Sequence, residues 1–239
     1  MLLSFIAAFI AYFVKGLCGF ANTLIYTSFM AFGSSNRDIT PMELILGLPS
    51  NIIMVWKERR SLKARVCLPL MALVLAGCIP GAFLLKQVDA HSIKIVCGIV
   101  ITLLGLQMLL TSGSVRKTKQ SPVLTAVIGL LSGVCCGLFG IGAMLSAYMG
   151  RIEGDSHFFK ANLCAVFLME NIFRIILYSC WGVLTVDILR QAAMLLPAMG
   201  LGLAAGMLAG HRLREDRVKR AIMVMLVISG VALIINSLM

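Results

Sequence analysis

Charged side chains are scarce in this 239-residue chain, at 13%, and acidic ones are scarcer, with ten Asp and Glu against 21 Lys and Arg. Hydrophobic residues make up 60% and the mean hydropathy is +0.98, more apolar surface than a soluble core of this length can hide. A water-soluble enzyme is thereby excluded, and a polytopic helical membrane protein is expected, with the lipid bilayer as its surroundings. Histidine is limited to His91, His157 and His211, all near loops, and the eight cysteines (Cys18, Cys67, Cys78, Cys97, Cys135, Cys136, Cys164, Cys180) lack paired metal-ligand spacing. No metal, no other cofactor and no catalytic residues are expected, and most thiols read as small buried side chains. No P-loop is present, which excludes direct ATP hydrolysis. Met1 to Ala11 has neither basic residues nor a convincing small-residue cleavage site, so this stretch reads as retained rather than as a signal peptide. No polar stretch is long enough for a second domain, and residues 1–239 read as one membrane domain.

What is present is glycine, grouped and repeated. The string Gly16-Leu17-Cys18-Gly19-Phe20 returns 121 residues later as Gly137-Leu138-Phe139-Gly140-Ile141. Hydrophobic segments fall at about 2–33, 42–56, 66–86, 92–111, 122–150, 161–181, 188–210 and 221–238, four on each side of a seam near 111–122. Asn51-Ile52 echoes Asn171-Ile172, Leu68-Pro69 echoes Leu196-Pro197, and Gly77 with Gly81 echoes Gly206 with Gly210. Two internal repeats are expected, about 1–115 and 120–239.

The formal charge of +11 would suggest nucleic acid in a soluble protein. Here the cations cluster in short gaps between apolar runs, so they read as topology signals and no nucleic-acid partner is expected. Eight simple crossings would put nine basic residues on one face and ten on the other, against the positive-inside rule. If the first and fifth segments instead dip in and return at their glycines, the loops 57–65, 112–121, 151–160 and 211–220 share a face with 15 basic residues, and the other face keeps four. The expected fold is therefore all-α, with two inverted repeats, each a glycine-broken re-entrant hairpin plus three transmembrane helices, in the cell (inner) membrane with both termini extracytoplasmic. Long broken helices that do cross remain the alternative for segments one and five.

A glycine turn before a helix start offers free amides and a positive dipole end to an anion. Gly16, Gly19, Asn22 and Thr23 at the first tip and Gly137, Gly140 and Gly142 at the second are the candidate substrate ligands, and Gly77, Gly81, Gly206 and Gly210 read as helix-packing glycines. Lys15 precedes the first tip and either meets an anion or carboxylate there or snorkels to the interface. Glu170 and Arg174 share a helical face and are expected to pair, beside Asn171 and its echo Asn51. Arg174 is then either an anion ligand with Glu170 as proton carrier, or half of a structural pair. Glu43 reads as an exposed carboxylate at a helix start.

The duplicated Gly-Leu-x-Gly motif, Lys160-Ala161, the Trp181-Gly182-Val183-Leu184-Thr185 turn and the Gly-xxx-Gly elements of segments three and seven resemble the sulfite exporter TauE/SafE family, also called the four-toluene-sulfonate uptake permease family, over nearly the whole chain. The resemblance implies a permease for small anions, often sulfite or organosulfonates, working in export or uptake. The tips depart from the family pattern Gly-φ-Gly-Gly-Gly with Pro five residues on: here they read Gly19-Phe20-Ala21-Asn22-Thr23 with Ser28, and Gly140-Ile141-Gly142-Ala143-Met144 with Met149. Substrate identity is therefore not carried across. The expected function is secondary transport of a small anion by alternating access at the two tips, with an anion channel or a non-catalytic membrane subunit as alternatives. Assembly into a homo-oligomer stays open.

Overall fold

The computed structural model describes residues 2–30, 36–87, 122–139 and 156–212, together with 99, 102, 103, 106, 109, 142, 145, 146, 148, 149 and single positions from 217 to 235. The fourth and eighth hydrophobic segments, the basic run at 112–121 and Gly140 lie wholly or mostly outside them. Among the described residues all regular structure is helical: α1 (Leu2–Cys18), α2 (Asn22–Met30), α3 (Asn36–Lys57), a 3-10 turn at Arg59–Ser61, α4 (Ala64–Gln87), α5 (Pro122–Phe139), α6 (Ser156–Cys180) and α7 (Val186–Arg212).

Four helices, α3, α4, α6 and α7, contain stretches long and apolar enough to cross a membrane, whereas the apolar stretches of α1 and α5 are shorter, Leu2–Cys18 and Thr125–Gly137. At about 1.5 Å per residue, α1 reaches about 25 Å, less than the hydrocarbon thickness of about 30 Å. The outer surface is apolar, with Leu201, Leu68, Leu208 and Ile176 all more than half exposed, while Lys15, Glu43, Glu170 and Arg174 are buried. That inversion of the soluble pattern is what a bilayer selects.

Helix α3 packs on α6 at the centre; α7 and then α1 lie beyond α3, α4 and then α5 lie beyond α6, and α2 sits against α1 and α3. The outer pairs approach backbone to backbone. A Cβ on Gly202 would stand 2.4 Å from the Phe9 carbonyl and one on Gly206 2.0 Å from that of Phe13; on the other side Gly77 meets Leu130 O at 2.2 Å and Gly81 meets Val134 O at 2.5 Å. Both pairs run parallel, and Phe9 and Phe13 stand 121 residues before Leu130 and Val134. The packing role expected for Gly77, Gly81 and Gly206 is therefore observed. Their partners differ by one turn from the sequence pairing: Gly202, not Gly210, completes the second set, and a Cβ on Gly210 would come no closer than ordinary contact, 3.5 Å from the Lys160 ammonium. Helical register, which fixes which glycine faces the neighbour, is invisible to a count of matching letters.

At one end of the bundle the loop after α3 is tied to the start of α6. His157 Nδ1 pairs with Glu58 Oε2 at 2.8 Å. The buried Asn162 accepts from the Lys63 amide at 3.0 Å and donates to Ser61 O at 3.3 Å and Phe158 O at 2.9 Å. Lys160, placed in a loop by hydropathy, is inside α6 and buried. Helix α6 starts at Ser156 rather than near 161 because its first turn, though polar in part, buries Phe158 and Phe159 in the core.

Candidate functional site

The first glycine motif ends α1 and starts α2 with a three-residue break. Gly19 has φ +89°, and its amide donates to the Lys15 carbonyl at 2.6 Å, a left-handed helix stop that favours glycine. A Cβ there would also meet Lys160 Cγ at 2.9 Å. Cys164 donates its thiol to the Gly19 carbonyl at 3.4 Å, and Phe20 meets Phe159 edge-on at 6.1 Å, so the break is packed against the first turns of α6.

Beyond the break, Asn22 Nδ2 donates to Glu43 Oε1, and the Thr23 hydroxyl donates to the same carboxylate. Tyr12 OH donates to the Glu43 backbone carbonyl at 3.4 Å. Lys15, 1% exposed, lies 5.7 Å from the Tyr12 ring centroid and within electrostatic reach of Glu43 and Glu170, so it points into the bundle and does not snorkel outward. Glu43 is correspondingly not the exposed helix-start carboxylate expected. Helix α3 begins at Asn36, before the polar stretch around Pro41, which sets Glu43 two turns inside at 4% exposure. The anion at the α2 amino terminus is the protein's own.

Across the α3–α6 contact stands the expected pair: Arg174 Nη1 donates to Glu170 Oε1 at 3.2 Å, and Nη2 donates to Tyr178 OH at 3.0 Å. The α3 backbone approaches through Gly47, whose Cβ would meet Asn171 Nδ2 at 2.8 Å and Glu43 Oε1 at 3.5 Å. Pro49 interrupts the hydrogen-bond ladder just beyond, and Ser50 Oγ donates back to the Gly47 carbonyl at 2.7 Å. Asn51 and Asn171 are both buried; among the described residues Asn51 Oδ1 and Arg174 Nε have no hydrogen-bond partner. One is an acceptor and one a donor, each costing about 1–3 kcal/mol while unsatisfied.

Lys15, Asn22, Thr23, Glu170, Asn171 and Arg174 are thus brought into one buried polar cluster, joined by Glu43 and Tyr12, which sequence reasoning did not place there. Asn51 is buried one helical turn beyond Gly47 in α3, outside these contacts. Gly16 lies in the last turn of α1, where its Cβ would meet Leu203 O at 2.5 Å; it serves the α1–α7 contact. At the second tip Gly137 is buried near the end of α5, and Gly142 faces Phe167 so closely that a Cβ would lie 2.0 Å from the ring. Cys136, the residue 121 positions after Lys15, is within electrostatic reach of Glu170 and Arg174. The ends of α1 and α5 therefore approach the cluster from its two sides. Among the described cysteines only Cys180 is exposed, and no group of three metal-ligating side chains occurs among the described residues.

A protein-family model described as Sulfite exporter TauE/SafE matches residues 4–233. The chain belongs to the sulfite exporter TauE/SafE family. No curated protein and no solved structure matches it. The family is one of membrane transporters, in keeping with the four apolar helices and the buried charges. In this TauE/SafE member Ala21 stands where the second tip carries Gly142, and Ala21 adopts φ +73°. A left-handed alanine costs about 1–2 kcal/mol. Ala21→Gly is expected to stabilise the protein by about 1 kcal/mol, a rise of about 2–4 °C in the thermal midpoint for a domain of this size. An unchanged or lower midpoint would mean that the break is not strained.

Proposed function

We propose that this chain is a secondary transporter of a small oxyanion, sulfur-containing or organic, with Lys15 and Arg174 as its anion ligands and the two glycine tips as the moving parts around them. The observation that carries the reading is the cluster itself: two cations, each 1% exposed, lodged among apolar helices, with one guanidinium N–H of Arg174 left free. Membrane-buried ionisable groups mark substrate paths by default. In the same reading Asn22, Thr23, Asn51 and Asn171 are assigned to the first half of the site, and Gly137, Gly140 and Gly142 to the second.

In this reading the helices form two inverted repeats, with α1 and α5 as the descending arms of re-entrant hairpins. Three observations support it: both arms have short apolar stretches, each lies parallel to a spanning helix of the other half, and the 57–63 loop is hydrogen-bonded to the start of α6. Eight successive crossings would put those last two on opposite faces. The basic end is then cytoplasmic and the termini are extracytoplasmic.

The cluster's charges balance, with Lys15 and Arg174 against Glu43 and Glu170. An arriving monoanion would leave one uncompensated negative charge in a dry site, a cost of several kcal/mol. A proton on one carboxylate removes that cost, so anion and proton travel together. Glu170, the carrier expected from sequence, has an arginine as direct partner, whereas the direct partners of Glu43 are a neutral amide and a hydroxyl. We assign the proton to Glu43, and to Glu170 the task of holding Arg174.

A thermal-shift series of the purified protein with sulfite, sulfate, thiosulfate, sulfonates and carboxylates tests the binding site. At least one oxyanion is expected to raise the midpoint, and Arg174→Gln or Lys15→Gln to reduce that shift, because loss of a ligand at this site weakens binding to the folded state. Equal shifts in wild type and both variants would remove these residues from the site.

A further inference from the structure

At the basic end of the bundle an open cleft lies between the ends of α3, α6 and α7, with Gly16, Lys57, Glu58, His157, Lys160 and Gly210 among its lining residues. Lys160 is unused by the central site. It is only 7% exposed, its stem packs on the Gly19 backbone, and its ammonium stands 3.5 Å from the Cβ position of Gly210. Because residue 210 has no side chain, the ammonium keeps its place in the cleft. Among the described residues this ammonium makes no hydrogen bond or ion pair. The carboxylate in its electrostatic reach, Glu58, is paired with His157 Nδ1 at 2.8 Å. Lys57 adds a second cation, and the first turn of the 25-residue α6 lies at the same place, with its amides and positive dipole end. Lys57 and Lys160 leave the cleft one positive charge in excess of Glu58, which an anion entering from solution offsets.

We propose that this cleft is a second anion-binding subsite, separate from the Lys15–Arg174 cluster, that takes a small oxyanion at the basic mouth of the protein. Lys160 ligates the oxyanion directly, and Lys57 draws it in by long-range attraction. The class of ligand, a sulfite- or sulfonate-like oxyanion, rests on the transport reading; the existence of the subsite does not. Since the stem of Lys160 lies against Gly19, the subsite adjoins the break between α1 and α2 and stands on the way to the central cluster.

Equilibrium binding of radiolabelled sulfite, sulfate and benzenesulfonate to the purified full chain in nanodiscs of zwitterionic lipid tests this in four proteins: wild type, Arg174→Gln, Lys160→Met and the double variant. Methionine keeps the stem on Gly19 and removes the charge. Arg174→Gln is expected to retain binding of at least one of these anions, and adding Lys160→Met to weaken that residual binding about tenfold or more, the effect of losing one charge-assisted hydrogen bond. Gly210→Asp, which leaves Lys160 in place and sets a carboxylate beside its ammonium, is expected to cause the same loss; if Lys160→Met does not fold, this variant decides alone. Residual binding that neither Lys160→Met nor Gly210→Asp weakens overturns the subsite, as does the absence of binding in wild type or in Arg174→Gln. Binding that survives Arg174→Gln at full strength but falls with Lys160→Met upholds the subsite and sinks the central reading instead.

Discussion

Glu43→Gln is expected to abolish proton-driven accumulation of the substrate while leaving the anion able to bind and cross. Glutamine keeps a neutral group opposite Asn22 and Thr23, as a protonated Glu43 does, so the site carries its spare positive charge at every pH. In proteoliposomes with the outside acidified, one-to-one coupling lets wild type accumulate an anion about tenfold for each unit of pH difference, since one unit is about 1.4 kcal/mol. Benzenesulfonate is the useful probe, being a monoanion throughout such a range. The Glu43→Gln protein should equilibrate the same anion without concentrating it, and an entrapped pH dye should show no proton entry with it. Accumulation that persists in Glu43→Gln and vanishes in Glu170→Gln would return the proton to Glu170.

Gly206→Ala is expected to be the most damaging single methyl group in the described helices. Its Cβ would fall 2.0 Å from the Phe13 carbonyl and close to the Gly16 Cα, backbone on both sides, so no side chain can swing away. Helices α1 and α7 would have to part, and the packing that holds one helix to another in lipid, where no hydrophobic effect drives them together, would go with them. Overpacking of this kind costs about 1–3 kcal/mol or more, a fall of about 5 °C or more in the thermal midpoint. Gly200→Ala, in the same helix with nothing within 4 Å of its Cβ, is the control. There the better helix propensity of alanine should leave the midpoint unchanged or raise it, by up to about 1 kcal/mol. Equal midpoints for the two variants would show that the α1–α7 contact is looser than described.

Features that depend on local chemistry were legible in the sequence. The i, i+4 spacing of Glu170 and Arg174 alone implied their pairing, and the glycines at 16 and 19 implied a break that the structure puts at 19–21. Features that depend on which helix comes to which were not. Glu43 looked exposed because hydropathy trims α3 at its polar start, and nothing local announces that Asn22 and Thr23 will arrive opposite it. Lys160 was counted as a loop cation because a long aliphatic stem and a buried ammonium have the same letter. Asn162 had no signal in an apolar run, although its side chain ties α6 to the turn after α3. The duplicated motif pointed to the family, yet the four charges of the cluster have no charged counterparts at the displacement of about 120 residues, so repeat symmetry could not have found them.

Counterflow in proteoliposomes containing the purified chain alone tests the central claim most directly. Vesicles preloaded with an unlabelled anion identified by thermal shift are diluted into a trace of the same anion carrying label. A carrier with Lys15 and Arg174 at its substrate site predicts a transient accumulation of label above the outside concentration in wild type, lost in Arg174→Gln and Lys15→Gln. Label that equilibrates without overshoot, or an overshoot that both variants retain, would contradict it.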